Sequence, residues 1–345
     1  MAKVRSSGAE LPDADALLSG ADFRDRYLVP LARSFSSDVL HTNSAVHAIG
    51  RSRILKGDHI GDPARAGTSF RLLVSDEGGE RIVSADVVLD CSGTYGQPNN
   101  LGDSGIPAPG EKAASHHIFY GIPNVAGADR SRFAGRRVLV VGAGHSAATA
   151  ITNVATLETS DRSTQLHWLL RRDRELPVEE IADDPLAERA RLASAANRLV
   201  HDGRVTLHRG AAVDSIQTGH EGLTVNLTSS AGSFVLALDE IIVATGFRPD
   251  MALARELQVQ TCWATEGTYP LAASMLGEAG AECLKTPAFG AEMLMHPEPG
   301  YFTLGMKSYG RAPNFLLRTG HQQIETVLDW LGQNELDKSM RQTAA

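Results

Sequence analysis

Apolar and polar positions change period several times along the 345 residues, and each change marks an element. In "ADFRDRYLVPLARSF" (21–35), Phe23, Tyr27, Leu28 and Leu31 recur at helical spacing, and Pro30 among them predicts a helix in two pieces. "TSFRLLVSDEGGERIVSADVVLDCSG" (68–93) alternates, turns at Gly78-Gly79 and runs into Val87-Val88-Leu89, the pattern of a hairpin feeding a buried strand. "GTYGQPNNLGDSGIPAPGE" (93–111) has no period and is rich in Gly, Pro and Asn, so it reads as a connector between domains.

From Arg137 to Asp250 strands alternate with helices: a strand and helix around residue 142, the strand "LHWLLRR", an acidic loop, the helix "PLAERARLASAANRLVHDG" and the strand "VTLHRG". Three hairpin strands and "EIIVATG" follow. That alternation predicts an α/β layer with a parallel sheet. Beyond Asp250 the pattern weakens; residues 276–300 read as loop with short helical pieces, "YFTLGM" as a strand and "GHQQIETVLDWLGQ" as a closing helix. No solenoid-type repeat is visible.

The most informative stretch is "RRVLVVGAGHSAATAITNVATL" (136–157), an apolar strand that breaks into a glycine turn and becomes a helix. Gly142 permits the tight turn, and Gly144 lets backbone approach a pyrophosphate. Small Ala147 lets helix and strand pack closely. The pyrophosphate would rest on the helix N-terminus, with His145 and Ser146 either touching phosphate or filling the turn. A glycine turn alone is weak evidence, but here both flanks are of the required type. The next strand ends in Arg171 and Arg172, where an acidic residue would bind a ribose 2′-hydroxyl and an arginine suits a 2′-phosphate, so NADPH is expected over NADH. Asp173 beside them weighs against, and a solvated loop end is the alternative.

Composition narrows the field. Apolar residues at 42% and charged residues at 21% fit a globular protein, and no apolar run reaches the ~20 residues of a membrane span. The length suggests two domains. The first twenty residues lack a secretory or transit pattern, so a cytoplasmic location is expected, with no membrane partner. Net charge −8 disfavours a nucleic-acid surface. Cys91, Cys262 and Cys283 form no C-x-x-C pair and no metal-ligand spacing, so no metal and no dithiol centre is expected.

"ADVVLDCSGTYGQPN" (85–99) and "LDEIIVATGFRPD" (238–250) match one another: an acidic residue, an apolar strand, two small residues and glycine. This pair bracketing a G-x-G-x-x-A turn resembles the two-dinucleotide-domain flavoproteins, the pyridine nucleotide-disulphide oxidoreductases and flavin-containing monooxygenases. The linker and the tail "HPEPGYFTLGMKSYGRAPNFLLRTGHQQIETVLDWL" (296–331) are similar to one bacterial branch of FAD-dependent oxidoreductases.

The resemblance implies an α/β fold with an NADPH-binding Rossmann-like domain inserted in a partial FAD-binding Rossmann-like domain. Residues 1–105 would begin the FAD-type domain, 106–134 form the linker, 135–250 bind NAD(P)H and 251–345 complete the FAD-type domain. Thr245 and Gly246 would then belong to the NADPH side. Ser92, Gly93 and Thr94, with the turn around Thr319, Gly320, His321 and Gln322, would face a flavin.

The family's first strand-G-x-G-x-x-G-helix has no counterpart upstream, which leaves FAD open. An FAD-dependent, monooxygenase-like NADPH oxidoreductase is the leading expectation. A flavin-free NADPH-binding protein is the alternative, as is a chain whose start lies further upstream. The electron acceptor would be a small-molecule substrate or oxygen, and related flavoproteins admit a homodimer by analogy alone. Lys307, Tyr309 and Arg311 are the polar candidates near a flavin, and Cys283 reads as structural.

Overall fold

A computed structural model describes residues 13, 16–157, 163–184, 186–277, 290–312 and 315–343, with side chains up to Asn334. They form two compact units. One comprises Met1–Val88 with Met251–Val259 and Pro297–Gly300; the other comprises Leu89–Asp250 with Gln260–His296 and Tyr301–Ala345.

In the first unit, helices α1 (Gly20–Phe23) and α2 (Val29–Arg33) are joined by a π turn over Arg24–Leu28. The predicted break at Pro30 is thus a change of ladder. Val29 N–H reaches back five residues to Arg24 O, and the looser turn accommodates a residue that lacks an N–H and crowds the carbonyl four positions earlier. Strands β1 (Ala45–Arg51), β2 (Phe70–Asp76) and β3 (Gly79–Ala85) form an antiparallel sheet in that order. The predicted hairpin turn is held by the Asp76 carboxylate, which accepts from Gly78 N–H at 2.9 Å. Ile49, Phe70 and Val74 are buried on this sheet.

The unit is also held by a buried ionic cluster. Glu298 accepts from Arg51 Nε at 2.8 Å, from Arg65 Nη2 at 2.8 Å and from Gln258 N–H at 2.8 Å. The Arg51 guanidinium lies 3.7 Å from the Phe70 ring centroid. Burial opposes the Glu298 charge, but the hydrogen bonds from Arg65, Gln258 and Arg51 outweigh it and hold the carboxyl below its usual range.

The second unit contains β4 (Val88–Asp90) from Leu89 onward, then β5 (Ile118–Tyr120), α3 (Arg130–Phe133), β6 (Arg137–Val141), α4 (His145–Val154), β7 (Gln165–Leu170) and α5 (Ala187–His201). After them come β8 (Thr206–Arg209), β9 (Ala211–Gly219), β10 (Gly222–Ser229), β11 (Gly232–Leu238), β12 (Glu240–Val243), α6 (Tyr269–Gly277), β13 (Tyr301–Thr303), α7 (Met306–Tyr309) and α8 (Leu317–Thr343). Five strands make a parallel sheet in the order β5-β12-β6-β7-β8.

Alternate residues of the parallel strands point to opposite faces. Val138, Val140, Trp168 and Ile242 pack with α4 and α5, whose Ala147, Ala148, Ala150, Ala193 and Ala196 allow close contact. Leu139, Val141, Leu169, Ile241 and Val243 pack on the antiparallel sheet β11-β10-β9 through Val213, Leu223, Val225 and Leu227. Burial on both faces explains why these strands read as continuous apolar runs. The α/β class with a parallel sheet is therefore as expected. The pattern did not reveal β5, which lies in the stretch taken as linker, or α6. Among the described residues no helix is long and apolar enough to cross a membrane.

Candidate functional site

The parallel sheet presents its strand ends to a cleft of about 250 Å³. Val141 ends β6, and the chain turns at Gly142 with φ +133°. A Cβ there would lie 2.4 Å from Ala244 O, so only glycine fits where this turn passes the end of β12. Gly142 N–H donates to Leu169 O at 3.2 Å, and Trp168 Nε1–H donates to Gly142 O at 2.8 Å.

Gly144 caps α4 in extended conformation, has no side-chain cap and faces open space. The first N–H groups of α4 have no partner within the helix and favour an anion. Ala147 is fully buried against the sheet, the role expected of it, whereas His145 and Ser146 are exposed in the first turn.

Gly142, Arg171, Arg172 and Thr245 line this one cleft. Arg174 lines it as well, a third cation beyond β7 that the sequence reading passed over. Across the cleft, Thr245 Oγ1–H donates to Asn99 O at 3.0 Å and Asn99 Nδ2–H donates to Thr245 O at 3.0 Å. Asn99 N–H also donates to Gly246 O, so the strand-end turn at Gly246, with φ +88°, is clamped to the 99–105 loop. Asn99 belongs to the wall of the site and carried no sequence signal beyond its place in a glycine-rich loop.

The other sequence candidates gather elsewhere in the same unit. Ser92, Gly93 and Thr94 follow β4, and Gly93 has φ +72°. Ser92 Oγ–H donates to Asp90 Oδ1 at 2.7 Å. Lys307 Nζ donates to Asp90 Oδ2 at 2.6 Å and to Ser92 Oγ at 3.0 Å, and Tyr301 OH donates to Asp90 Oδ2 at 2.7 Å. Burial would push the Asp90 carboxyl up, but the hydrogen bonds from Lys307, Ser92 and Tyr301 prevail and hold it low. Thr94 Oγ1 is buried and has no hydrogen-bond partner.

Gln322 is exposed, and its neighbour Gln323 is the buried one. Gln323 Oε1 accepts from Gly305 N–H at 2.7 Å, and its Nε2–H donates to Ser308 Oγ at 2.9 Å. The glutamine that packs inward is therefore the neighbour of the one expected to face a flavin. Thr319, Gln323 and Val327, spaced by four, are buried and define the inner face of α8. Lys307 and Tyr309 are buried and Arg311 is exposed. Cys283 lies outside the described residues. Cys91 is exposed, and its partly desolvated sulfur beside the Asp90 carboxylate has its thiol pushed up.

His296 lies against Tyr301, with Nε2 2.9 Å from Thr303 Oγ1. Burial lowers its pKa to about 4. An unfolded histidine gains its proton near pH 6.5, so between those values only the unfolded chain is protonated and stability falls as pH falls. The expected loss from pH 6.5 to 4 is about 3 kcal/mol at about 1.4 kcal/mol per pH unit. Urea unfolding at pH 7.5, 5.5 and 4.5 measures it, with His296→Gln flattening the slope; a wild-type stability unchanged from pH 7.5 to 5.5 contradicts it.

The chain has no match among curated protein sequences. It is similar in fold to the bacillithiol disulfide reductase of Bacillus cereus, with 16% identity and TM-score 0.64 over 93% of this chain and 82% of that one. It also resembles the ornithine N-hydroxylase of Kutzneria sp. 744, with 16% identity and TM-score 0.57 over 96% and 80% of the two chains. The thioredoxin reductase of T. acidophilum gives 13% identity and TM-score 0.51 over 82% and 72%. At these identities the likeness establishes the fold, which is that of two-domain Rossmann-type flavoproteins. The sequence profile for the pyridine nucleotide-disulphide oxidoreductases matches residues 44–268, a stretch that contains both glycine-ended strands and the Gly142 turn. This chain belongs to that family of FAD- and NAD(P)H-dependent oxidoreductases.

Proposed function

We propose that this protein is an NADPH-dependent, monooxygenase-like flavin oxidoreductase, in which NADPH reduces FAD by hydride transfer and the electrons pass to a small-molecule substrate or oxygen. The observation that carries this reading is the cleft that joins Gly142 to Arg171 and Arg172. The residues fit the dinucleotide: the crowded glycine and the uncapped N-terminus of α4 suit its pyrophosphate, and the guanidinium groups beyond β7 suit a 2′-phosphate. Arginine matches phosphate through paired N–H donors.

At the second glycine turn, Gly93 and Thr94 are the residues that would hold flavin, and the orphaned Thr94 Oγ1 is the kind of buried group such a ligand satisfies. Bound flavin would supply the hydride acceptor. The chain's part would be to bind and orient both cofactors. The absence of a C-x-x-C pair in this sequence favours the monooxygenase-like analogy over a dithiol relay. The Kutzneria hydroxylase structure carries reduced FAD, NADP+ and L-ornithine, which supports the same pairing of cofactors on this fold.

The test is to record the visible spectrum of the purified protein with FAD and titrate NADPH and NADH. The expected result is a flavin spectrum bleached by NADPH. Arg171→Ala/Arg172→Ala should weaken NADPH binding by about 10- to 100-fold, the value of one or two charged phosphate contacts, and leave NADH nearly unchanged. A colourless protein that binds NADPH leaves only the nucleotide-binding alternative, and equal affinity of the double variant for NADPH contradicts the 2′-phosphate assignment.

A further inference from the structure

Arg311, on the segment after α7, lines the same cleft as Gly142 and the arginines beyond β7. Its backbone is fixed. Arg311 N–H donates to Thr265 O at 2.7 Å, and Gly310, at φ +65°, is so close to the 265–267 turn that a Cβ would lie 2.1 Å from Thr265 O.

The guanidinium has a loose acidic neighbour. Arg311 Nη1 is 3.8 Å from Glu266 Oε1, while Arg248 engages the same carboxylate through Nη2 and through Nε, the latter at 3.0 Å from Oε2. One carboxylate thus lies between two arginines, and the tighter contacts belong to Arg248. Arg311 keeps donors in excess on the wall of a cleft that already carries Arg171, Arg172 and Arg174.

Its position separates it from those three. Arg248 follows β12, so Glu266 ties Arg311 to the β12 side, whereas Arg171 and Arg172 follow β7 and β6 lies between. Adjacent strands are about 4.8 Å apart, so β12 and β7, with β6 between them, are about 10 Å apart. A dinucleotide with its 2′-phosphate at β7 places its pyrophosphate over the Gly142 turn, at the N-terminus of α4.

We infer that Arg311 is a second anion anchor of this site, which binds the pyrophosphate of the dinucleotide and takes no part in reading the 2′-phosphate. The inference rests on the proposed dinucleotide cleft and adds a residue from the segment that follows the Rossmann-like layer.

Four probes separate the two anchors: NADPH, NADH, ADP, which has a diphosphate and no 2′-phosphate, and adenosine 2′-monophosphate, which has the reverse. Dissociation constants are measured by calorimetry on the full chain. Arg311→Met is expected to weaken NADPH, NADH and ADP by about 10-fold or more and to leave adenosine 2′-monophosphate within about twofold, with Arg311→Lys recovering part of the loss. Arg171→Ala/Arg172→Ala is expected to weaken NADPH and adenosine 2′-monophosphate and to spare ADP.

Unchanged ADP and NADH affinity in Arg311→Met overturns the inference. Equal weakening of adenosine 2′-monophosphate overturns it too, because that marks a general field and not a pyrophosphate contact. If the double variant alone has no effect, the 2′-phosphate assignment fails while the Arg311 result stands.

Discussion

Replacing Lys307 by methionine is expected to destabilise the second unit by about 3–5 kcal/mol, the usual result of removing one partner of a buried ion pair. Lys307 is 1% exposed and Asp90 6% exposed, so solvent cannot take over when the ammonium is lost. Methionine retains the length of the side chain, and the cost therefore comes from an unpaired carboxylate still bonded to Ser92 and Tyr301. Urea unfolding at pH 7 measures it.

Two controls identify the cause. Asp90→Asn/Lys307→Met should recover most of the stability, because a neutral pair leaves no buried charge. The penalty should also shrink on acidification. Desolvation would raise the Asp90 carboxyl once Lys307 is gone, so the variant takes up its proton at a higher pH than the wild type and loses the buried charge sooner. A single-variant cost below about 1 kcal/mol contradicts this account of the network.

Glu298→Ala is expected to cost the first unit a similar 3–5 kcal/mol. Alanine leaves the guanidinium groups of Arg51 and Arg65, each under 7% exposed, without a counter-charge. Arg65 retains hydrogen bonds to Leu55 O and Asp58 O, and Arg51 those to Thr68 O and Pro299 O, which limits the loss. Glu298→Gln keeps an acceptor and should be less damaging.

The sign in pH follows from the lowered Glu298 carboxyl. Its contribution is complete above the unfolded value near 4.3 and disappears as pH falls through the lower folded value. Denaturation of wild type and variant should therefore converge in strong acid. Curves that keep a constant separation to pH 2 count against the cluster.

The parts of the site written in consecutive residues were legible. The turn at Gly142 was recognisable because its strand, glycines and helix adjoin in sequence, and the structure crowds that glycine against Ala244 O. Arg171 and Arg172 line the same cleft as that turn, a placement readable in advance because a strand end has a defined place in an α/β sheet. Contacts between remote residues were not legible. The Asp90–Lys307 pair spans 217 positions, and nothing in the sequence near Asp90 points to Lys307.

Gln323 was missed for a reason of phase. In "GHQQIE" the two glutamines are adjacent, and only the four-residue spacing through Thr319 and Val327 shows which faces inward. β5 has three residues, too few to show alternation, and its place beside β12 is a matter of tertiary pairing.

The Glu298 cluster also bears on how the chain is made. A ribosome releases Arg51 and Arg65 long before Gln258 and Glu298, and Glu298 lies 233 positions beyond Arg65. The two guanidinium groups that the folded unit buries therefore stay in water through most of synthesis, and residues up to Val88 cannot close their own unit as they emerge. The parallel sheet of the second unit, by contrast, is complete by Val243, before Gln258 and Glu298 are made. Vectorial synthesis thus reverses the order of the sequence: the earliest residues are among the last to reach their final packing, and a nascent chain arrested before residue 298 should still be cleaved readily by protease ahead of Val88.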